Sequence, residues 1–264
     1  MKNLNICIIG GGNLGRAMAE GFLKAGLPAK QLVITRRRPH LLDDLAKQGV
    51  RVTADNAAAV KGADLVIVAV KPYQAEGVLQ GISSALVTGQ MVASLMTGVS
   101  IESLKSWLPD NVIPFRVMPN TAIALQESMT CISAPDCNDE QKDVIQELFE
   151  TLGKVIYINE ELMAAATVLG ACGIAFALRF IRAAAQGGIE IGFGAEVAQE
   201  IVAQTVKGAT ELILQTGHHP EREIDKVTTP KGITISGLNA MEHQGFSSAL
   251  IQGLLVSYNK INNG

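Results

Sequence analysis

The stretch Ile6-Cys7-Ile8-Ile9-Gly10-Gly11-Gly12-Asn13-Leu14-Gly15-Arg16-Ala17-Met18-Ala19-Glu20-Gly21 decides how this chain reads. Four strand-like residues end at three glycines. After Asn13 the period changes: Leu14, Ala17, Met18, Gly21, Phe22 and Ala25 recur three or four apart, as on one helix face. Strand, glycine turn and helix is the context in which G-x-G-x-x-G signals a dinucleotide site. Here the motif is Gly10, Gly12 and Gly15. The glycines are expected to make a tight turn, admit a pyrophosphate to the backbone and bring helix close to strand. With Asn13 and Leu14 they are the candidate cofactor-binding residues of this turn, beside the positive end of a helix.

Outward from this turn, strands and helices alternate. Leu32–Thr35, Val50–Thr53, Leu65–Val70, Met91–Ser94, Val112–Val117, Met129–Ser133 and Lys154–Ile158 read as strands. Leu65–Val70 is a continuous apolar run, as expected of a strand covered on both faces. Helical patterns fall at Leu41–Lys47, Asn56–Lys61, Tyr73–Leu86, Ile101–Trp107 and after Asn138. This alternation implies an α/β Rossmann-type doubly wound sheet over residues 1–159. From 160 to 264 no strand is expected. Helices read from Glu160 past Arg182, then Ala195–Gln215, Ile233–His243 and Phe246–Ile261, with Gly217 and Pro220 closing the second. The apolar faces of this all-helical domain are too few to bury one another, so a homodimer at least is expected.

Composition narrows the function. Of 264 residues, 48% are hydrophobic and 18% charged, enough for a substantial core. A net charge of -3 and few aromatics argue against nucleic-acid binding. The four cysteines have no metal-like spacing, and no metal site is expected. Met1-Lys2-Asn3-Leu4-Asn5 has no signal-like apolar core, which points to the cytoplasm. Leu162–Leu178 carries no charge, but glycines interrupt it and arginines follow. A helix buried in a core or subunit interface fits better than a membrane span. The four histidines read as structural or surface residues.

Strand ends supply the remaining candidates. An NAD site places a carboxylate after strand two to hold the ribose. Thr35-Arg36-Arg37-Arg38 stands there instead, and Arg36 and Arg37 suit a 2′-phosphate. NADP(H) is the expected cofactor, with NAD(H) also admitted. Ala69-Val70-Lys71-Pro72 and Met118-Pro119-Asn120-Thr121 reach the same carboxyl edge of the sheet.

At these residues the chain resembles the pyrroline-5-carboxylate reductase family. The likeness rests on the runs at 9–18, 63–72, 115–121, 208–220 and 226–246, in the family's order and spacing. The resemblance implies a Rossmann domain and a helical domain interlaced with a partner, giving a dimer and often a ring of dimers. It implies hydride transfer from NAD(P)H to the cyclic imine of 1-pyrroline-5-carboxylate, giving L-proline. Asn56, Ala69, Val70, Lys71 and Pro72 would border the cofactor, and Met118, Pro119 and Asn120 the nicotinamide. Thr228–Ile235 resembles the loop that holds the substrate carboxylate. Lys231, Gly232, Ile233 and Thr234 are its candidate residues, with Thr234 the candidate catalytic hydroxyl, the alternative being a helix cap.

Two departures stand out. Where the family shows Leu-Ser-Gly-Ser-Gly-Pro-Ala-Tyr, this chain has Leu169-Gly170-Ala171-Cys172-Gly173-Ile174-Ala175-Phe176, which makes Cys172 a candidate pocket residue. Lys231 replaces a preferred glycine. Three readings follow: the reductase itself, a paralogous NADP-dependent reductase of another imino acid or small carboxylic acid, or a non-catalytic nucleotide-binding regulatory protein.

Overall fold

The computed structural model describes residues 4–263. It divides into two compact units, 4–172 with 258–263, and 173–257. The first unit continues past residue 159, the boundary the sequence suggests. It does so because Met163, Ala166 and Ala171 pack with Met118 and Cys131 of the sheet.

The strands of the first unit are β1 (Ile6–Ile9), β2 (Leu32–Thr35), β3 (Arg51–Thr53), β4 (Leu65–Val68), β5 (Met91–Ser94), β6 (Ile113–Met118), β7 (Ser128–Ser133) and β8 (Gly153–Tyr157). They form one sheet in the order β3-β2-β1-β4-β5-β6-β7-β8. From β3 through β6 the pairing is parallel. β7 runs antiparallel to β6, and β8 parallel to β7. The helices are α1 (Asn13–Lys24), α2 (Asp43–Lys47), α3 (Asn56–Ala59), α4 (Ala75–Ser83), α5 (Ile101–Trp107), α6 (Asp139–Glu150) and α7 (Met163–Ala166).

Period-two alternation along the strands splits their apolar residues between two cores. Ile6, Ile8, Ile34, Phe115, Val117 and Ile132 meet Met18 and Phe22 of α1 and Phe149 of α6. Phe22 and Phe149 meet edge to face, with centroids 6.3 Å apart. Cys7, Ile9, Val66, Val68 and Val92 meet Leu79, Ile82 and Leu104 on the other face. Each such large side chain stabilises the fold by about 1.5–3 kcal/mol. A reciprocal cap starts α6: Asn138 Oδ1 accepts from the Gln141 amide, and Gln141 Oε1 from the Asn138 amide.

β4 stops at Val68, two residues before the expected end. Ala69 N still donates to Ile9 O at 2.8 Å. Beyond it β1 has already turned away at Gly10, whose φ is +105°. Strand order reverses between β1 and β4, the position at which open α/β sheets bind ligands beyond the carboxyl ends of their strands.

The second unit holds α8 (Gly173–Glu190), α9 (Ala195–Thr216), α10 (Pro220–Val227), α11 (Ile233–His243) and most of α12 (Phe246–Asn262). No strand follows Tyr157 among the described residues. α9 ends at Gly217 in the left-handed conformation. Three residues later Pro220 opens α10, a short helix where the sequence pattern indicates none, with His219 Nδ1 accepting from the Glu221 amide. α8 and α9 pack closely: a Cβ on Gly188 would lie 3.0 Å from that of Ala198. Much apolar surface of this unit stays exposed, including Ile189, Ile201, Leu212, Ile251 and Leu255. The helical run Glu160–Glu190 is long and apolar enough to cross a membrane, and only 11% of its most apolar window is buried. The expected burial on all sides therefore does not occur within the single chain.

Candidate functional site

The glycine turn follows β1 where strand order reverses, and its three motif positions have different surroundings. Gly10 N donates to Thr35 O at 3.2 Å, and a Cβ at Gly10 would lie 2.5 Å from Ala69 O. A Cβ at Gly15 would lie 2.2 Å from Gly10 O. These two positions exclude side chains because turn, helix and neighbouring strand meet there. Gly12 is different: no atom lies within 4 Å of where its Cβ would be. Gly12 and Asn13 are exposed, and Gly12 gives α1 no side-chain cap. The first N–H groups of α1 have no side-chain cap and lie beside that open position, the arrangement that receives a phosphate. Leu14 is half-buried and packs on the first core, so it anchors the helix.

Arg36, Arg37 and Arg38 follow β2. Among the described residues none of their guanidinium groups pairs with a carboxylate. Nearby Asp44 is committed to Arg16, which also binds Glu20 at 2.8 Å. Cationic donors without internal partners suit a 2′-phosphate. Asn56 opens α3, behind the capping Asp55. Ala69 and Val70 line the rim beside Gly10, while Lys71 and Pro72 are exposed and lead into a short 3-10 turn. These residues thus gather at one edge of the sheet, and they fit a dinucleotide phosphate.

Met118, Pro119 and Asn120 end β6 and are buried. Asn120 is more occupied than a turn residue need be. Its amide N–H donates to Ser128 Oγ at 3.1 Å, its Oδ1 accepts from Ala122 N at 3.0 Å, and its Nδ2 donates to Gly170 O at 3.2 Å. Gly170 lies in a π-helical stretch, Thr167–Cys172, that also contains Cys172. One strand position earlier on the same face, Arg116 binds Glu160 through Nη1 at 2.9 Å, and Glu160 Oε1 accepts from Ile101 N at 2.6 Å. Arg116 Nε is buried with no hydrogen-bond partner among the described residues. Sequence reasoning missed both ties, since each joins residues more than forty positions apart.

In the second unit, Gly232 N donates to Thr229 O at 2.8 Å, closing a turn with Pro230 and Lys231 at its centre. Lys231 has φ +62°. A turn with Pro second and a left-handed third residue favours glycine third, which accounts for the family's preference. Gly232 precedes α11 and leaves it without a side-chain cap. A Cβ there would lie 2.6 Å from Thr229 Oγ1. Thr234 is therefore not the cap. Its hydroxyl is exposed and has no hydrogen-bond partner among the described residues. Ile233, at 93% exposure, stands in solvent beside it.

Comparison with known proteins accounts for both units. Residues 160–263 match the family model described as pyrroline-5-carboxylate reductase dimerisation, and residues 5–98 match that of NADP oxidoreductase, coenzyme F420-dependent. Pyrroline-5-carboxylate reductase 2 of Dictyostelium discoideum is 41% identical, over 98% of this chain and 92% of its own length. Pyrroline-5-carboxylate reductase 1 of the same organism is 45% identical over 97% of this chain, which spans about half of that longer relative (49%). Among solved structures, a pyrroline-5-carboxylate reductase from Coxiella burnetii superposes with TM-score 0.90 at 28% identity, covering 99% of this chain and 98% of that one. The Plasmodium falciparum pyrroline carboxylate reductase, solved with NADP bound, shares the fold at TM-score 0.89 and 24% identity, covering 99% and 98%. Whole-length identity at this level, joined to a matching dimerisation domain, makes this chain a member of the pyrroline-5-carboxylate reductase family.

Proposed function

We infer that this chain reduces 1-pyrroline-5-carboxylate to L-proline with NADPH. The observation that carries the reading is the glycine turn after β1: open space at Gly12 beside an uncapped helix start, with three arginines after β2 that have no carboxylate partner among the described residues. When bound, the nicotinamide supplies the hydride that adds to the imine carbon.

The chain's own residues have the remaining work. Gly10 and Gly15 keep the turn tight enough for backbone N–H groups to hold the pyrophosphate. Arg36 and Arg37 hold the 2′-phosphate. Buried Met118 and Pro119 form a dry wall at the carboxyl edge. The uncapped N-terminus of α11 receives the substrate carboxylate, and the unpartnered Thr234 hydroxyl bonds the carboxylate or the ring nitrogen. A protonated cyclic imine is already electrophilic. Alignment and exclusion of water suffice, and no general base is required.

The helical half is a dimerisation domain. Its exposed apolar helices support assembly beyond the dimer, as a ring of dimers, which a molar mass from light scattering measures directly. The four cysteines are free thiols, consistent with a cytoplasmic protein. Expression in a proline auxotroph tests the reading: growth without proline supports it. A folded, NADPH-binding protein that leaves the auxotroph unrescued shifts the assignment to another imino acid or to a non-catalytic role.

A further inference from the structure

We propose that Asn120 is a positioning residue, whose side-chain amide locks the π-helical stretch Thr167–Cys172 onto the turn that ends β6. The proposal rests on the reading above, in which that turn borders the nicotinamide and the stretch leads into the substrate pocket.

The amide has one orientation. Its oxygen accepts from Ala122 N at 3.0 Å, so its nitrogen must point the other way, and it meets Gly170 O at 3.2 Å. The backbone on either side is fixed too. Asn120 N donates to Ser128 Oγ, which lies 3.2 Å from Thr130 Oγ1 on β7. Asn120 is 6% exposed, so these bonds are sheltered from competing water.

The partner is a segment that needs fixing. A π-helical turn carries one residue more than an α-helical turn and usually occurs as a local bulge at functional positions. Thr167 bonds back to Met163 O at 2.8 Å, a contact that bends helices. Gly170 itself has no side chain to pack. Below the bond, Met118 and Cys131 meet Met163, Ala166 and Ala171 in a small apolar cluster. Turn and bulge therefore move as one body, with Asn120 as the directional contact between them. Gly170, Ala171 and Cys172 bring no hydroxyl to the stretch, so few side chains are left to hold the bulge in shape.

Hydride transfer tolerates little misplacement, and an error of about 1 Å costs about a hundredfold in rate. The test uses the full chain, with wild type assayed first. A wild type that binds NADPH but leaves 1-pyrroline-5-carboxylate unreduced sinks the reductase reading, whatever Asn120 does.

Given turnover, Asn120→Ser keeps a capping oxygen for Ala122 but cannot reach Gly170. It should lower kcat/KM for the imine roughly 10- to 100-fold, with NADPH affinity within about twofold. Asn120→Asp is nearly isosteric. When protonated it can donate to Gly170 O, and when ionised it cannot. Its kcat/KM relative to wild type should therefore rise as pH falls through its carboxyl pKa.

An NADPH affinity weakened about tenfold or more in both variants would make Asn120 a cofactor contact instead. Unchanged kinetics in both, or a pH-independent ratio for Asn120→Asp, would leave it a local cap and overturn the proposal. If Asn120→Ser does not fold, the pH dependence of Asn120→Asp decides alone.

Discussion

At Gly12 an added Cβ meets nothing within 4 Å, whereas at Gly15 it lies 2.2 Å from the Gly10 carbonyl oxygen. One motif thus contains two kinds of glycine, one with open space beside it and one required by the packing of the fold. Gly12→Ala should leave the melting temperature within a degree or two while weakening NADPH by about tenfold or more, since its methyl occupies phosphate space. Gly15→Ala should lose about 2 kcal/mol of stability, because turn and helix must separate. Thermal melts and fluorescence titration of NADPH separate the two; equal effects at both positions would contradict the assignment. Lys231 presents the reverse case, a side chain where the backbone favours none. Its left-handed φ costs about 1–2 kcal/mol, partly offset by the larger unfolded-state freedom of glycine. Lys231→Gly should therefore stabilise the protein by about 0.5–1 kcal/mol in urea unfolding. A loss of stability would show that the lysine makes a favourable contact in the assembled protein.

Among elements, the start of the 160–172 segment is tied to β6 and α5 through Glu160, which takes both Arg116 and the Ile101 amide. Removing one partner leaves a guanidinium that is nine-tenths buried without its counter-charge. Glu160→Ala should cost about 2–3 kcal/mol, at the low end for buried pairs because the carboxylate is partly exposed. Glu160→Gln, which still accepts both bonds, should cost less than half of that. Equal losses in urea unfolding would point to packing rather than charge. The sequence shows the strands well for a local reason: runs such as Leu65–Val68 are continuously apolar and bounded by turn residues. It also shows the edge proposed for the cofactor, because glycines and arginines cluster within short spans. α10 escapes notice because the seven mostly charged residues after Pro220 look like loop. The π-helical stretch and the ties of Asn120 and Glu160 escape notice because no local pattern encodes a contact made across the fold.

For the whole molecule, buried thiols set an alkaline limit. Burial pushes the Cys7 thiol up from an ordinary 9.0 to about 12, with Arg51 drawing it slightly down, and burial raises Cys131 and Tyr157 as well. Above about pH 9 the unfolded chain releases a proton that the folded chain retains. The unfolded state then binds fewer protons, and stability falls as pH rises from about 9 toward 12. Cys7→Val should flatten that decline in urea unfolding across the window; an unchanged slope would remove Cys7 as its source. The central claim concerns turnover of 1-pyrroline-5-carboxylate with NADPH. The most direct test is the steady-state rate of NADPH oxidation by the purified chain with 1-pyrroline-5-carboxylate, run beside NADH and other cyclic imines. The account predicts robust turnover of 1-pyrroline-5-carboxylate to proline, with higher kcat/KM for NADPH than for NADH. Tight NADPH binding without turnover of this substrate would contradict it.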